Sequence, residues 1–148
     1  MLTWKRLSFE DLSANQLYKI LQLRSEVFVV EQDCIYQDID FKDQKAIHIL
    51  GYENDNLVAY SRVFKAGDYL KEASIGRVLV KQKERKYGYG HDLMKESIAT
   101  IIEDFKFNTI HISAQTYLEK FYNSHGFIKN GDGYLEDGIP HIKMIKNV

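Results

Sequence analysis

The chain has 148 residues, of which 45% are hydrophobic and 28% are charged, and these ordinary proportions predict one globular domain over residues 1–148. Twenty lysines and arginines against 21 aspartates and glutamates give a net charge of −1, which argues against a nucleic-acid-binding protein with a strongly basic face. Apolar runs of at most four residues exclude a membrane-spanning helix, and the one cysteine, Cys34, excludes an intrachain disulfide. Because the first residues also lack the apolar stretch of a signal peptide, a cytoplasmic protein is predicted.

The predicted elements follow from hydrophobic periodicity, since a period of two indicates strands and spacings of three and four indicate helices. In chain order they are a strand (3–7), a helix (13–30), a hairpin (46–53 and 57–65), a strand (73–80), a helix (89–104), a strand (109–114), a short helix (117–124) and two final strands (127–129 and 141–145). Ser13 and Gln16 match a capping box at the start of the first helix, and residues 33–43 and 130–139 are predicted as loops. This mixed order indicates an α/β or α+β sheet domain rather than a doubly wound nucleotide-binding fold.

One segment, VLVKQKERKYGYG at residues 78–90, has the composition of a phosphate-binding loop. A buried strand leads into residues 81–86, which carry a local charge of +3, and then into Gly88, Gly90 and a helix start. Glycines allow close backbone approach, and the free N–H groups and dipole of a helix N-terminus favour an anion. The dinucleotide fingerprint fails because position 93 is Leu, and no P-loop sequence occurs. With these two phosphate-binding motifs excluded by their spacing, the pattern that remains is Arg85-x-x-Gly88-x-Gly90.

That pattern, placed between a strand and a helix, resembles the acetyl-CoA pyrophosphate loop of the GNAT N-acetyltransferases. A second landmark follows in AQTYLEKFYNSHGF, where Tyr122 stands five residues before the Phe of a Gly126-Phe127 pair. The segments LRSEVFVVEQDCIYQDID and EDGIPHIKM are similar to the ElaA-type branch, so the resemblance covers nearly the whole chain. It implies a mixed sheet of about seven strands, splayed at its centre, with acetyl-CoA in the split and helices on its flanks.

The resemblance also implies the parts of a coenzyme site. Backbone groups of Val78, Leu79 and Val80 would hold the pantetheine arm and polarise the thioester, and Gln115 is assigned to the coenzyme as well. Amides of the loop would bind the pyrophosphate: Arg85, Lys86, Tyr87, Gly88, Tyr89 and Gly90. Tyr122 is the predicted general acid, because a phenol is protonated at neutral pH and can donate to the leaving thiolate.

The general base is less well defined by the sequence. An alkyl amine is charged at neutral pH and must lose a proton before it attacks the thioester. Many members of the superfamily have a carboxylate just ahead of the Ile-x-Arg segment, where this chain has Ser74. Glu31 is the first candidate, and the alternatives are His48 and His141. Gln32, beside Glu31, is assigned with both histidines to the acceptor site.

Charged residues near the first helix and in the following loop are further candidates for acceptor binding. Arg24 lies on an otherwise apolar helix face, so it is expected to pair with Glu31 or Asp38, or to bind an anionic acceptor group. Asp38, Asp40 and Asp43 form a solvated loop or attract a cationic acceptor. The five histidines show no metal-ligand spacing, so no metal is predicted.

Three functional hypotheses remain open on the sequence alone. The leading one is an acetyl-CoA-dependent N-acetyltransferase that acts on an amine, either a small molecule or a peptide, by direct attack. The alternatives are a non-catalytic acyl-CoA sensor and an unrelated phosphate-ligand protein, and neither of these needs a proton donor at Tyr122. Ten tyrosines favour an aromatic surface that could pair two chains in a homodimer.

Overall fold

The computed structural model describes residues 1–148 and contains one mixed sheet with helices on both faces. Its strands and α-helices are β1 (Thr3–Ser8), α1 (Ala14–Arg24), β2 (Ile47–Glu53), β3 (Asn56–Phe64), β4 (Ala73–Val80), α2 (Tyr89–Asp104), β5 (Thr109–Gln115), α3 (Glu119–Asn123), β6 (Ile128–Lys129), β7 (Tyr134–Glu136) and β8 (Ile139–Asn147). Short 3₁₀ turns cover Asp43–Lys45, Gln82–Tyr87 and Thr116–Leu118. No helix has both the length and the apolar character needed to cross a bilayer.

The first helix differs from its prediction. The capping box is confirmed, because the Gln16 amide N–H donates to Ser13 Oγ at 3.0 Å and the Ser13 N–H donates to Gln16 Oε1 at 2.9 Å. The α-helix, however, ends at Arg24 and continues as a π-helix over Ser25–Glu31. Widened π-turns occur frequently at functional sites, and this one brings Phe28 to the cavity described below.

The sheet has eight strands rather than about seven. The additional strand, β7, lies in the predicted loop over residues 130–139 and pairs with β8. All three residues of β7 are exposed. Because the strand has no buried face, its sequence shows no alternation of apolar and polar residues from which a strand could be predicted. The remaining order, β1-β2-β3-β4-β5-β8-β6, places β4 and β5 side by side at the centre.

The sheet splits between β4 and β5, as the family resemblance implied. These parallel strands pair only at Ala73 with Ile110 and at Ser74 with His111, and beyond that point they separate. A bulge helps to bend β4, since Ser61 of β3 faces two β4 residues, Arg77 and Val78. Arg77 has a φ of 50°, an uncommon conformation for a residue with a side chain, and this kind of strain concentrates at functional sites.

Alternation along the strands builds a core on each face of the sheet. Ile49 and Ala59 face α2 and belong to the main cluster with Leu93 and Met94. Their neighbours Leu50, Tyr60 and Leu79 face the other way and pack against Ile20 and Leu23 of α1 and against Val27 of the π-helix. Burial on both sides fixes the register, because a slip by one residue would exchange the two faces.

A buried ion network holds the loop of residues 33–43 against the sheet. It joins three arginines to three aspartates: Arg24, Arg62, Arg77, Asp38, Asp40 and Asp43. The prediction of a solvated or acceptor-attracting acidic loop is therefore wrong, because these carboxylates are already neutralised by arginines. The same contacts tie α1 and β3 to the bulge of β4.

Replacing Arg24 by Met is expected to lower the free energy of unfolding by about 3 kcal/mol, because the change leaves buried carboxylates without one of their partners. This loss of stability is at the lower end of the range for a broken buried ion pair, because Asp38 still pairs with Arg77 and Asp43 still pairs with Arg62. The melting temperature should fall by roughly 6–12 °C. The matched control is Arg6→Met, because Arg6 also faces three carboxylates but lies at the surface, where ion pairs contribute about 1 kcal/mol or less. Equal melting shifts for the two variants would contradict a dominant role of the buried network.

Acid should weaken the same network over a defined pH range. Burial alone would raise the pKa of Asp40, but the hydrogen bonds and charge of Arg62 outweigh burial and lower that pKa to about 2. Stability from this pair is thus complete above the unfolded pKa of about 4 and is lost as pH falls toward 2. Urea unfolding measured between pH 2 and 7 should show this decline, and Asp40→Asn should reduce its slope. An unchanged slope in the variant would contradict the assignment.

Candidate active site

The split in the sheet forms a cavity with a volume of about 940 Å³. One wall comes from β4, with Ser74, Ile75, Gly76, Arg77 and Val78, and the other comes from β5, with His111, Ile112, Ser113 and Gln115. Because β4 leaves β5 after Ser74, the facing backbone edge of β4 has no strand partner. An extended ligand with amide groups can complete such an edge as an additional strand would.

The predicted coenzyme loop follows directly after β4, the strand whose Val78 lines the cavity. Residues 82–87 form a 3₁₀ turn, Gly88 adopts a left-handed φ of 75°, and α2 begins at Tyr89. Gly88 thereby turns the chain so that the first N–H groups of α2, which lack helical partners, point outward. A Cβ at Gly90 would make only ordinary contacts with Phe121 at 3.5 Å, so internal crowding does not require glycine there.

The loop side chains serve different purposes from the loop amides. Arg85 donates from Nε to the Val80 carbonyl at 2.9 Å and pairs with both carboxylate oxygens of Glu31, at 2.5 and 2.9 Å. Tyr89 is buried and donates from its hydroxyl to Glu53, whereas Lys86 and Tyr87 are exposed. The contacts of Arg85 fasten the loop to the end of β4 and to the first helix.

Glu31 was predicted as the general base, and the structure corrects this assignment. Its two carboxylate oxygens accept hydrogen bonds from Arg85, and Glu31 does not line the cavity. A carboxylate held in this way beside the coenzyme loop is not positioned to take a proton from an amine inside the split.

Tyr122 lies at the cavity wall with only 7% of its surface exposed. Its ring packs edge-to-face on Phe127 at 6.1 Å, and the Phe127 N–H donates to the Tyr122 carbonyl. Gly126 makes this turn possible, since its φ of 88° is a left-handed conformation that residues with a side chain rarely adopt. Burial raises the pKa of Tyr122 above its ordinary value, so the phenol is protonated at neutral pH.

Three other predicted residues meet in the same cavity. Gln115 Nε2 donates to Gln32 Oε1 at 3.3 Å across the gap between β5 and the end of the first helix. His141 of β8 lines the cavity, with Nδ1 2.7 Å from the Ile139 carbonyl and its ring stacked on Tyr134. Of the predicted strand segment at residues 78–80, the Val78 side chain lines the cavity, whereas Leu79 and Val80 are buried in the two cores.

Two residues predicted to bind the acceptor have structural roles instead. Arg24 is fully buried and donates from Nε to Asp38 at 2.9 Å and from Nη1 to Asp43 at 2.8 Å, so it cannot reach an acceptor. His48 is fully buried as well, with Nδ1 2.6 Å from the Tyr60 hydroxyl and Nε2 3.0 Å from the Asp43 carbonyl. Both ring nitrogens of His48 are occupied and the residue does not line the cavity, which excludes it as a base for the acceptor.

Sequence reasoning missed a group of polar side chains opposite the coenzyme loop. Three buried side-chain atoms have no hydrogen-bond partner, namely Arg62 Nε, Ser74 Oγ and His111 Nδ1, and all three residues line this cavity. Unpaired buried polar atoms are rare in folded proteins, so Arg62 Nε and Ser74 Oγ in residues of this cavity indicate a polar ligand, whereas His111 Nδ1 lies against Glu72. The sequence TIHISAQ contained a pattern that could have pointed to His111. In it, His111 and Ser113 alternate with the core residues Ile110 and Ile112, so both polar side chains share the other face of the strand.

Comparisons with known proteins agree with this geometry. The acetyltransferase (GNAT) domain family matches residues 9–148 of the chain. Protein ElaA of Escherichia coli strain K12 is 45% identical over 150 residues, which covers 100% of this chain and 98% of that protein. The crystal structure of Escherichia coli ElaA matches with a TM-score of 0.92 and 44% identity over 99% of this chain and 100% of that one. An acyl-CoA N-acyltransferase from Pseudomonas aeruginosa matches with a TM-score of 0.92 and 36% identity over 99% of both chains.

Proposed function

Because the chain belongs to the GNAT acetyltransferase family, in its ElaA-like branch, we propose that it transfers an acetyl group from acetyl-CoA to a primary amine. The observation that carries the proposal is the cavity at the split, which brings together the open edge of β4 and Tyr122, while the proposed coenzyme loop follows directly after β4 in the chain. Residues 1–148 would act as one catalytic domain in the cytoplasm. A homodimer stays a prediction, which light scattering at high protein concentration would test.

The donor end of the site suits an acyl-CoA thioester. The loop amides at residues 85–90 and the start of α2 would bind the pyrophosphate, whose negative charge matches the helix dipole. The pantetheine arm, which contains two amides, would pair with the free edge of β4 along Val78, Leu79 and Val80, close to Gln115. Backbone N–H groups at the bulge would then polarise the thioester carbonyl, and they stabilise negative charge on its oxygen as the amine attacks.

The acceptor end would hold the amine on the opposite side of the split. Direct attack forms the C–N bond while the C–S bond breaks, and Tyr122 donates its proton to the departing thiolate. The position of Tyr122 in the cavity wall supports this role, and a phenol is protonated at neutral pH. Gln32 and His141 line the same cavity and are proposed to contact the acceptor.

The test is a panel of polyamines, amino acids and peptides, each incubated with acetyl-CoA and assayed for the release of CoA thiol. We expect at least one amine to raise thiol release well above the rate of acetyl-CoA hydrolysis. Calorimetry of acetyl-CoA binding provides the control for a folded coenzyme site. Tight binding without amine-dependent thiol release would favour the sensor hypothesis, whereas no binding would reject the coenzyme assignment itself.

A further inference from the structure

His111 stands at the point where the two central strands part. It pairs with Ser74 in the last contact between β4 and β5, so its side chain lies at the apex of the split. The residue is only 6% exposed, and its accessible surface lines the cavity that also contains Tyr122. No carboxylate occupies the adjacent position of β4, where the chain has Ser74, so a base must come from a neighbouring element.

The two ring nitrogens of His111 have different surroundings. Nδ1 lies 2.8 Å from Glu72 Oε1, a contact that is not aligned as a hydrogen bond and that becomes an ion pair when the imidazole is protonated. Nε2 has no hydrogen-bond partner and is not among the fully buried atoms. It is therefore the nitrogen that is open to the cavity. A carboxylate beside one nitrogen and a cavity before the other suits a general base whose protonated form the carboxylate stabilises.

The charges around His111 favour its neutral form. Burial lowers the pKa of His111 from its ordinary value, Glu72 opposes this shift, and Lys143 of β8 adds to it. The other charged side chains that line the cavity are Arg62 of β3, Lys71 before β4, Arg77 of β4, and Glu136 and Asp137 at the end of β7. Arg62 and Arg77 are paired with aspartates of the loop, so they add little net positive charge. A neutral imidazole at physiological pH has the lone pair that a base requires.

We propose that His111, positioned by Glu72, is the catalytic base that takes the proton from the acceptor amine. This inference rests on the proposed function and deepens it. The ammonium passes one proton to Nε2, and the nitrogen attacks the thioester carbon as the C–S bond breaks. Tyr122 protonates the departing thiolate, and the second proton of the nitrogen then restores the phenol of Tyr122. One proton thus ends on the CoA thiol, and the other leaves His111 for solvent. Glu72 stabilises the imidazolium that forms in between.

The experiment compares His111→Gln and Glu72→Gln with wild type, using the best amine of the panel. The control is Thr109→Val, on the same strand but outside the cavity. We expect His111→Gln to lower kcat/KM by about 10²- to 10⁴-fold, as for loss of a general base, and to leave the acetyl-CoA affinity within about twofold. Wild-type kcat/KM should rise with pH, and the midpoint of this rise should lie below the ordinary histidine pKa of about 6.5. The rise should disappear in His111→Gln, and its midpoint should move to lower pH in Glu72→Gln.

Two further readouts separate a base from a merely structural residue. Hydroxylamine is already neutral at the assay pH, so the deficit of His111→Gln should shrink when hydroxylamine is the acceptor. NMR titration of the imidazole signal, assigned by its loss in His111→Gln, should place its pKa below the ordinary value in wild type. A titration above that value, or a His111→Gln variant that keeps both the rate and its rise with pH, would overturn the inference and leave the acetyltransferase proposal intact. A wild type inactive toward every amine would overturn both.

Discussion

Gly88→Asp is expected to weaken acetyl-CoA binding by on the order of 100-fold, because it places a carboxylate where the loop amides should meet the pyrophosphate. Two unit charges about 4 Å apart near a protein surface repel by about 4 kcal/mol, which is enough for this loss even with partial screening. The fold should persist, since a Cβ at Gly88 meets nothing within 4 Å and a negative charge at the start of α2 suits the helix dipole. Calorimetric titration with acetyl-CoA measures the affinity.

Gly88→Asn is the matched control for that variant. Asn has nearly the same size as Asp and tolerates the left-handed φ of 75° at this position better than most residues. Its expected affinity for acetyl-CoA is much closer to wild type, because no charge is added. Gly90→Asp should resemble Gly88→Asp. If both aspartate variants bind acetyl-CoA as wild type does, the loop does not hold the pyrophosphate.

Tyr122→Phe is expected to reduce turnover on the order of 10²-fold while acetyl-CoA affinity changes little. The substitution keeps the ring and its packing on Phe127 but removes the proton donor in the cavity wall. The loss is partial because a thiolate whose conjugate acid has a pKa of about 8.5 can leave without assistance. Turnover and coenzyme affinity, measured side by side with a thermal melt, provide the test.

The control for this variant is Tyr117→Phe, because Tyr117 is a nearby tyrosine that is 74% exposed and lies outside the cavity. It should keep wild-type turnover. A thioester with a less basic leaving thiol should restore part of the rate of Tyr122→Phe, since it needs less protonation. Full turnover in a well-folded Tyr122→Phe variant would remove Tyr122 from the mechanism.

The sequence was sufficient wherever a local pattern determines the structure. Strand β4 and helix α2 have the predicted boundaries, because branched residues before the basic loop and glycines at the turn mark the change from strand to helix. The capping box placed the start of α1 for the same reason. The predicted cavity residues Tyr122, Gln32, Gln115 and His141 do lie together, although their roles remain proposals.

Long-range pairing is what the sequence could not supply. Arg24 and Asp43 are nineteen residues apart in the chain, and Glu31 and Arg85 are 54 apart, so no local pattern reveals which charges meet. His111 was overlooked because its neighbour Ser74 belongs to a strand separated from it by the whole of α2. A parallel crossover of this kind brings together residues whose proximity only the folded structure shows.

The transfer of labelled acetyl from acetyl-CoA to an amine tests the central claim most directly. Acetyl-CoA with a deuterated acetyl group is incubated with the wild-type protein and the best amine of the panel, and the products are identified by mass spectrometry. We expect the deuterated acetyl group on the amine nitrogen in equal amount to the CoA thiol released. Label that stays on coenzyme A despite tight binding, or that appears only as free acetate, would contradict acetyl transfer at the split.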